Sequence, residues 1–163
     1  MIIREGGLDD ARVQALLATH LAKARAATAE GFAFALDLSG LRAPGIRFFT
    51  AWDGATLLGT GALKRLAPDH GEVKSMHTAE AARRRGVGGA MLRHIVGEAR
   101  QAGMARVSLE TGTSAYFQAA VALYLAQGFV PCGPFGDYAA SGENRFLTLP
   151  PATAADHSNG PCR

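Results

Sequence analysis

The stretch RRRGVGG, residues 83–89, decides the fold, because three arginines and three glycines join a strand-like run to a helix-like run. GEVKSMHT, residues 71–78, precedes it, and AMLRHIVGEARQAG, residues 90–103, follows it. The first N–H groups of a helix have no partner within the helix and carry partial positive charge, so they attract anions. Glycines let such a backbone approach a phosphate without side-chain clashes. The turn therefore predicts a cradle for a poly-anionic group, with a merely flexible, basic helix start as the alternative.

Two better-known glycine motifs do not fit this turn. A P-loop ends in Gly-Lys-Ser/Thr, whereas this turn ends in Gly89-Ala90. A dinucleotide-binding fingerprint would need its third glycine where Met91 stands. Nucleic-acid binding is disfavoured as well, because the net charge is only +3 and the cations are spread out except at residues 83–85. A small anionic ligand suits this charge better.

Composition and length limit the class of protein. The chain has 163 residues, of which 48% are hydrophobic and 19% are charged, as in an ordinary globular protein. We expect a single domain over residues 1–149 and a flexible tail, residues 150–163, that contributes little to the core.

No apolar run reaches the roughly 18 residues of a membrane span. Acidic residues stand where a signal peptide would carry its apolar core, so the expected location is the cytoplasm. Cys132 and Cys162 lack metal-site or disulfide spacing, and no metal is expected.

Apolar periodicity predicts an α/β chain. Residues 8–27 repeat apolar side chains at helical spacing. Two strand-like runs, 46–52 and 56–65, are joined by Asp53-Gly54, a strong hairpin signal. The other expected elements are strands at 2–5, 72–78, 105–111, 129–132 and 144–149, and helices at 87–102 and 115–127. This order predicts a mixed sheet with helices on both faces.

Two motifs resemble the signatures of the GNAT superfamily of N-acetyltransferases. The first is Arg/Gln-x-x-Gly-x-Gly/Ala at the start of a helix, which residues 83–88 match as Arg-Arg-Arg-Gly-Val-Gly. The second is Ala-x-x-Leu-Tyr-x-x-x-Gly-Phe, which residues 120–129 match without a gap. The motifs stand in the expected order, and the resemblance covers residues 2–149. It implies the GNAT fold, a central mixed and mostly antiparallel sheet of six to seven strands with helices on both faces.

Further stretches resemble a bacterial subgroup of small acetyltransferases of the YsnE type. They are GEVKSMHT, SLETG at 108–112 and PCGPFGDY at 131–138. The chain departs from common family residues at Glu80, where proline is frequent, at Arg84, where glycine is frequent, and at Phe117, where asparagine is frequent. The first two departures affect the stiffness of the loop, and the third concerns one contact to the cofactor. None of them blocks the fold.

The resemblance implies acetyl-CoA as the cofactor. In the family, backbone amides of the glycine-rich turn hold the pyrophosphate, and the backbone of the fourth strand hydrogen-bonds the pantetheine and the thioester carbonyl. The implied cofactor-binding residues of this chain are Met76, His77 and Thr78 in the strand, and Arg83, Arg84, Arg85, Gly86, Val87, Gly88 and Gly89 in the turn.

Acetyl transfer to an amine needs a proton donor for the leaving sulfur and a base for the amine. Tyr124 resembles the family tyrosine that protonates the sulfur, and a phenol with an ordinary pKa of about 10 is neutral at pH 7. The alternative is that Tyr124 only belongs to the buried stripe of its helix. The base is left open between two residues. Glu72 opens the fourth strand, where some relatives have a glutamate, and Glu110 lies in an otherwise apolar strand, where it needs a partner or a purpose.

Simpler interpretations stand beside these candidates. Lys74 would share a strand face with Glu72, so the two residues could form a plain surface ion pair. His70 and His77 also qualify as bases by their ordinary pKa, although a histidine in such a strand is more often a core residue.

The acceptor is the least specified part of the prediction. Arg42 could hold a carboxylate, and Phe135 and Tyr138 could form walls of the acceptor pocket. We expect an acetyl-CoA-dependent N-acetyltransferase that acetylates the primary amine of a small molecule by direct attack. No nucleic-acid or membrane partner is expected, and a homodimer is left open. The alternatives are a non-catalytic acyl-CoA sensor and a protein N-acetyltransferase.

Overall fold

Seven strands and four α-helices make up the part of the chain that the structure describes, residues 1–153 of a computed structural model. The strands are β1 (Ile2–Glu5), β2 (Ile46–Asp53), β3 (Thr56–Ala67), β4 (His70–Thr78), β5 (Arg106–Gly112), β6 (Val130–Pro131) and β7 (Asn144–Leu149). The helices are α1 (Ala11–Ala26), α2 (Leu38–Leu41), α3 (Val87–Gln101) and α4 (Gln118–Ala126). Short 3-10 helices lie at Glu80–Ala82 and Ala115–Phe117. Residues 154–163 of the predicted tail lie outside the described residues.

The expected elements are present with shifted ends. Helix α1 begins at Ala11 because Asp10 caps it, accepting a hydrogen bond from the Arg12 N–H at 2.8 Å. The helix expected over 115–127 is divided into a 3-10 turn and α4. Helix α2 was not expected, since four residues are too few to show apolar periodicity.

The sheet order is β1-β2-β3-β4-β5-β7-β6, and every neighbouring pair is antiparallel except β4 and β5. This parallel pair is in register at only three positions, His70–Arg106, Gly71–Val107 and Glu72–Ser108. Beyond them the two strands separate, so the centre of the sheet opens into a wedge. Residues 73–78 of β4 therefore present an unpaired backbone edge to the wedge.

A β-bulge lies in the part of β4 that borders the wedge. Ser75 and Met76 of β4 stand opposite the single residue Gly61 of β3. Ser75 has a φ of 54°, in the left-handed region that few residues other than glycine adopt. Thr60 Oγ1 donates a hydrogen bond to the Ser75 carbonyl at 3.1 Å and so holds the bulge in place. A bulge bends its strand, which changes the course of β4 as it leaves β5.

The two faces of the sheet carry separate hydrophobic cores. Helices α3 and α4 pack on one face, where Met91, Ile95 and Tyr124 are buried in one cluster. Helices α1 and α2 pack on the other face, where Val13 and Leu41 belong to a second cluster. The predicted mixed sheet with helices on both faces is confirmed, and the wedge lies between the two helical layers. Within residues 1–153, no helix is both long and apolar enough to cross a membrane.

Candidate active site

A cavity of about 680 Å³ occupies the wedge between β4 and β5. This volume is in the range of small-ligand sites. Its walls come from β4, the end of β5, the glycine-rich turn and α4, and from α1 with the segment that follows it. The predicted site residues that line it are Met76, His77, Thr78, Arg83, Arg84, Gly86, Val87, Gly88, Gly89, Glu110 and Tyr124.

The turn presents its backbone to the cavity as an anion site. Six consecutive N–H groups, from Arg84 to Gly89, have no acceptor within residues 1–153. Arg84 and Gly86 have positive φ angles of 60° and 77°, whereas Arg85 between them does not. Backbone that alternates in this way directs successive N–H groups into one concave nest for anions. The start of α3 adds the partial positive charge of the helix dipole, so the turn fits a pyrophosphate.

Close packing explains why glycine, rather than a larger residue, stands at position 88 of the turn. A Cβ atom on Gly88 would lie 3.0 Å from Leu123 Cδ2 on α4 and 3.7 Å from Thr78 Oγ1 on β4. The turn is thus seated directly against both walls of the cavity. The Arg85 guanidinium lies 3.7 Å from the Asp53 carboxylate, outside the cavity lining, which leaves only its backbone amide for a cofactor.

Two histidine rings lie together on the α1 side of the cavity. The rings of His77 and His20 have centroids 5.0 Å apart, and both residues line the cavity. Burial, with a smaller effect of His20 and of nearby cations, lowers the pKa of His77 to about 4. The ring is therefore neutral at pH 7 and a weak proton acceptor. His70 lies outside the lining, where its Nε2 is 2.7 Å from Ser108 Oγ.

Glu72 is held in a buried polar network behind the cavity wall. It is only 1% exposed, and its Oε1 accepts hydrogen bonds from the Tyr138 hydroxyl at 2.5 Å and from Lys74 Nζ at 3.2 Å. Lys74 also donates to the Tyr138 hydroxyl at 2.7 Å. The ion pair expected at the surface is thus a buried one, and that expectation is corrected. Glu72 does not line the cavity, although Lys74 does.

Glu110 differs from Glu72 both in its position relative to the cavity and in its hydrogen-bond partners. It lines the cavity, and its side chain has no hydrogen-bond or ion-pair partner in the described part of the chain. Burial raises the pKa of Glu110 to about 7, while Lys74 lowers it and Glu72 raises it to smaller extents. A carboxyl group with this pKa can accept a proton at neutral pH and release it again.

Tyr124 combines the two interpretations that the sequence left open. It is 7% exposed and belongs to the core cluster under α3, yet it also lines the cavity. Burial raises the pKa of Tyr124, and the charge of Glu110 raises it further, so the phenol stays protonated. The residue is a buried stripe residue with access to the wedge.

Comparison with known proteins agrees with this geometry. Residues 15–129 match the Acetyltransferase (GNAT) family. The chain belongs to this family.

Its relatives fix the class of enzyme. The uncharacterized N-acetyltransferase YedL of Escherichia coli (strain K12) is 44% identical over 147 residues, which are 90% of this chain and 92% of YedL. The uncharacterized N-acetyltransferase YsnE of Bacillus subtilis (strain 168) is 41% identical over 148 residues, 91% of this chain and 98% of YsnE. A crystal structure described as an acyl-CoA N-acyltransferase of Klebsiella pneumoniae superposes with a TM-score of 0.77 at 25% identity, covering 93% of this chain and 97% of that one. The resemblance to YsnE-type acetyltransferases is confirmed.

This GNAT chain is therefore an acetyltransferase that uses acetyl-CoA. The free amides of the turn fit the pyrophosphate of that cofactor, and the unpaired edge of β4 fits an extended chain such as pantetheine. The individual residue assignments remain predictions.

The acceptor residues expected from the sequence do not line the cavity of this acetyltransferase. Arg42 pairs with Asp9, Nη2 to Oδ1 at 2.6 Å, and lies outside the lining. Phe135 and Tyr138 lie behind it, with ring centroids 5.3 Å apart. Tyr138 acts on the wall indirectly, through its hydrogen bonds to Lys74 and Glu72.

Sequence reasoning missed the residues that α1 and the following segment bring to the cavity. They are His20, Phe32 and Phe34. Lys74 on β4 was expected only as a partner of Glu72 and also lines the cavity. Phe32 and Phe34 alternate in an alanine-rich stretch without helical spacing, which is a usable signal for a half-exposed wall. Nothing in the spacing of His20 distinguishes it from the other residues of an amphipathic helix.

Proposed function

We propose that this acetyltransferase acetylates the primary amine of a small molecule by direct attack, with Glu110 as the base and Tyr124 as the acid. The observation that carries the proposal is the Glu110 carboxyl group, which lines the wedge without a partner in residues 1–153. Glu110 is half-buried, and a carboxyl group that loses part of its hydration without gaining a partner is unfavourable for stability, as is typical of catalytic sites.

The acid and the base approach the wedge from opposite faces of the sheet. Leu109 is buried in the cluster under α3, so its neighbour Glu110 points to the α1 face. Tyr124 is part of the cluster under α3. An amine beside Glu110 and a sulfur beside Tyr124 would thus lie on either side of the acyl carbon.

The proton balance fits these two groups. Bound acetyl-CoA supplies the acetyl group, whose carbon forms a bond to the amine nitrogen and loses its bond to sulfur. Glu110 takes up a proton from the attacking nitrogen, and Tyr124 gives its phenolic proton to the departing sulfur. The unpaired N–H groups of the β4 edge are suited to hydrogen-bond the thioester carbonyl. Glu72 has a positioning role here, since it orients Lys74 and Tyr138.

A small acceptor is supported by the enclosure of the cavity on the α1 side. The segment carrying Phe32 and Phe34 lies against it, and Phe34 packs edge-to-face on Tyr138 with centroids 5.2 Å apart. A peptide would need an extended groove along this surface. Catalysis rather than sensing is supported by Glu110, because binding of acyl-CoA alone has no use for an unpaired carboxyl group on the acceptor side.

The test is thiol release from acetyl-CoA with a panel of primary amines. We expect turnover by the wild type, a loss of about 10²–10⁴-fold in kcat/KM for Glu110→Gln, and a smaller loss in kcat for Tyr124→Phe. Acetyl-CoA binding, followed by calorimetry, should change little in either variant. Glu110→Gln activity within threefold of wild type would rule out Glu110 as the base. Acetyl-CoA binding without thiol release for any amine would favour the sensor.

A further inference from the structure

The cavity has a second half that the cofactor-binding turn does not reach. We call it the acceptor half, and it is lined by His20, Phe32, Phe34, Lys74 and Glu110. Its chemistry limits the substrates that fit, provided that the proposed function holds and the amine attacks from this side.

The acceptor half offers a single carboxylate. Glu110 is the only acidic residue among the cavity-lining residues of the described chain, 1–153. The other charged lining groups are the cations Lys74, Arg83 and Arg84, and the two histidines have lowered pKa values because of burial. One ammonium group can pair with Glu110, whereas a second would be desolvated without a partner and repelled by the cations.

Two phenylalanines form the apolar part of the acceptor half, and one of them, Phe34, is supported from behind. Phe32 and Phe34 line it while keeping 39% and 37% of their surface exposed, which is unusual for large apolar side chains. The Phe34 ring stands edge-on to Tyr138 at 81°, and the Tyr138 hydroxyl is fixed by Lys74 and Glu72. An apolar or aromatic body placed here would cover the open faces of both rings.

We infer that the acceptor is a primary monoamine with an apolar, aromatic-sized body, and that Phe34 determines this specificity. Polyamines and aminoglycosides, which carry several ammonium groups, fit poorly. The amine nitrogen lies toward Glu110, and the body of the acceptor lies against Phe32 and Phe34.

Two matched pairs of amines separate charge from apolar surface. Hexylamine and 1,6-diaminohexane differ by a second ammonium group, and 2-phenylethylamine and ethylamine differ by a ring. We expect kcat/KM for the first member of each pair to exceed that of the second by at least about tenfold. Phe34→Ala should raise KM for 2-phenylethylamine by about tenfold and leave that for ethylamine within twofold. Leu125→Ala, an exposed apolar residue outside the cavity, is the control and should change neither.

A binding measurement distinguishes failure of this inference from failure of the proposed function. Calorimetry of 2-phenylethylamine with the CoA-loaded protein should detect binding that Phe34→Ala weakens about tenfold. If 1,6-diaminohexane is acetylated as well as hexylamine, the function stands and the monoamine class is wrong. If no amine is acetylated but 2-phenylethylamine binds in a Phe34-dependent way, the acceptor site stands and the catalytic proposal fails. Absence of both binding and Phe34 dependence overturns the inference.

Discussion

The Glu110 carboxyl group predicts a pH-dependent activity. Burial raises its pKa to about 7, and a base acts only in its ionised form. We expect kcat/KM of the wild type to rise steeply with pH up to about 7, and above that value to rise only with the slope set by ionisation of the amine. Glu110→Gln should remove this rise and keep only the dependence on ionisation of the amine, near pH 10. Rates measured from about pH 5.5 to 9.5 with a single amine test this. A wild-type profile that follows the amine alone would contradict it.

The same carboxyl group predicts an effect on stability that does not depend on turnover. The folded-state pKa is raised above the ordinary value of 4.5, so between these pH values the folded state binds more protons than the unfolded state. The contribution of Glu110 to stability therefore falls as pH rises from about 4.5 to 7. Glu110→Gln lacks this loss, and its Tm relative to wild type should increase over that interval by about 2–6 °C, because the partial exposure of Glu110 to solvent reduces the effect of the full pKa shift. Calorimetric scans that give a constant difference would contradict the raised pKa.

Arg84 is the residue of the turn whose side chain conflicts with its backbone. Its φ of 60° is unfavourable for any residue with a Cβ atom, by about 1 kcal/mol. We expect Arg84→Gly to raise the free energy of unfolding by about 0.5–1 kcal/mol and Tm by about 2–3 °C. Acetyl-CoA should bind up to about tenfold more weakly, because a cation near the anion site is lost while the backbone amide remains.

Arg85→Gly is the matched control for this prediction. Arg85 has no positive φ, and its ion pair with Asp53 is exposed. Glycine therefore relieves nothing there and only adds freedom to the unfolded chain, so stability should fall by up to about 1 kcal/mol. Urea denaturation of both variants is the measurement. Equal losses of stability in the two variants would mean that the Arg84 backbone is not strained.

At the scale of elements, contact between β3 and β4 positions the edge that we propose faces the cofactor. A Cβ atom on Gly59 would lie 2.9 Å from the His77 carbonyl oxygen and 3.2 Å from Val87 Cγ1. A backbone carbonyl cannot rotate aside as a side chain can, so Gly59→Ala must displace β4 or the start of α3. We expect a loss of about 1–3 kcal/mol in the free energy of unfolding and an acetyl-CoA Kd at least about tenfold higher.

Gly97→Ala makes the same substitution at a site without this constraint. Gly97 lies within α3, and a Cβ atom there would meet nothing within 4 Å. Alanine should raise the free energy of unfolding by about 0.5–1 kcal/mol through its higher helix propensity. Urea denaturation and calorimetric titration with acetyl-CoA compare the two variants. Unchanged stability and affinity in Gly59→Ala would show that β3 does not hold the edge in place.

At the scale of the whole molecule, the turn that is proposed to bind the cofactor could be recognised from the sequence, whereas the acceptor half could not. The turn is one continuous stretch, so its glycines and arginines appear together in the sequence and can be recognised as a unit. The order of strands and helices was predictable as well, because each depends on local periodicity. The acceptor half instead combines residues from α1, the segment after it, β4 and β5, which only the folded chain brings together.

The surroundings of Glu72 and Glu110 in the folded chain distinguish the two candidate bases, which the sequence could not do. Glu72 and Glu110 are both glutamates in strands, and the one flanking signal, Lys74 beside Glu72, predicted a surface ion pair and not a buried network. The difference arises because Tyr138, from the segment before β7, reaches Glu72 and leaves Glu110 without a partner in residues 1–153. Likewise, the departure at Arg84 was visible in the sequence, but its positive φ needed the structure.

Acetyl-CoA should stabilise the whole chain, since its proposed site joins the two helical layers across the open sheet. At a ligand concentration of 100 times Kd, binding adds about 2.7 kcal/mol, which corresponds to a rise in Tm of about 5–11 °C for a chain of this size. Differential scanning calorimetry with and without ligand measures the rise. Equal Tm values at saturating ligand would contradict the site.

Two substitutions at Gly88 test whether the turn is responsible for this rise. Alanine adds only a Cβ atom at 3.0 Å from Leu123 Cδ2, a flexible side-chain end that can move aside. Aspartate adds the same atom and also a negative charge beside the six free amides. Both variants should have a lowered Tm without ligand, but only Gly88→Asp should lose most of the ligand-induced rise, because like charges repel at the anion site. A rise in Gly88→Asp equal to that in Gly88→Ala would place the pyrophosphate elsewhere.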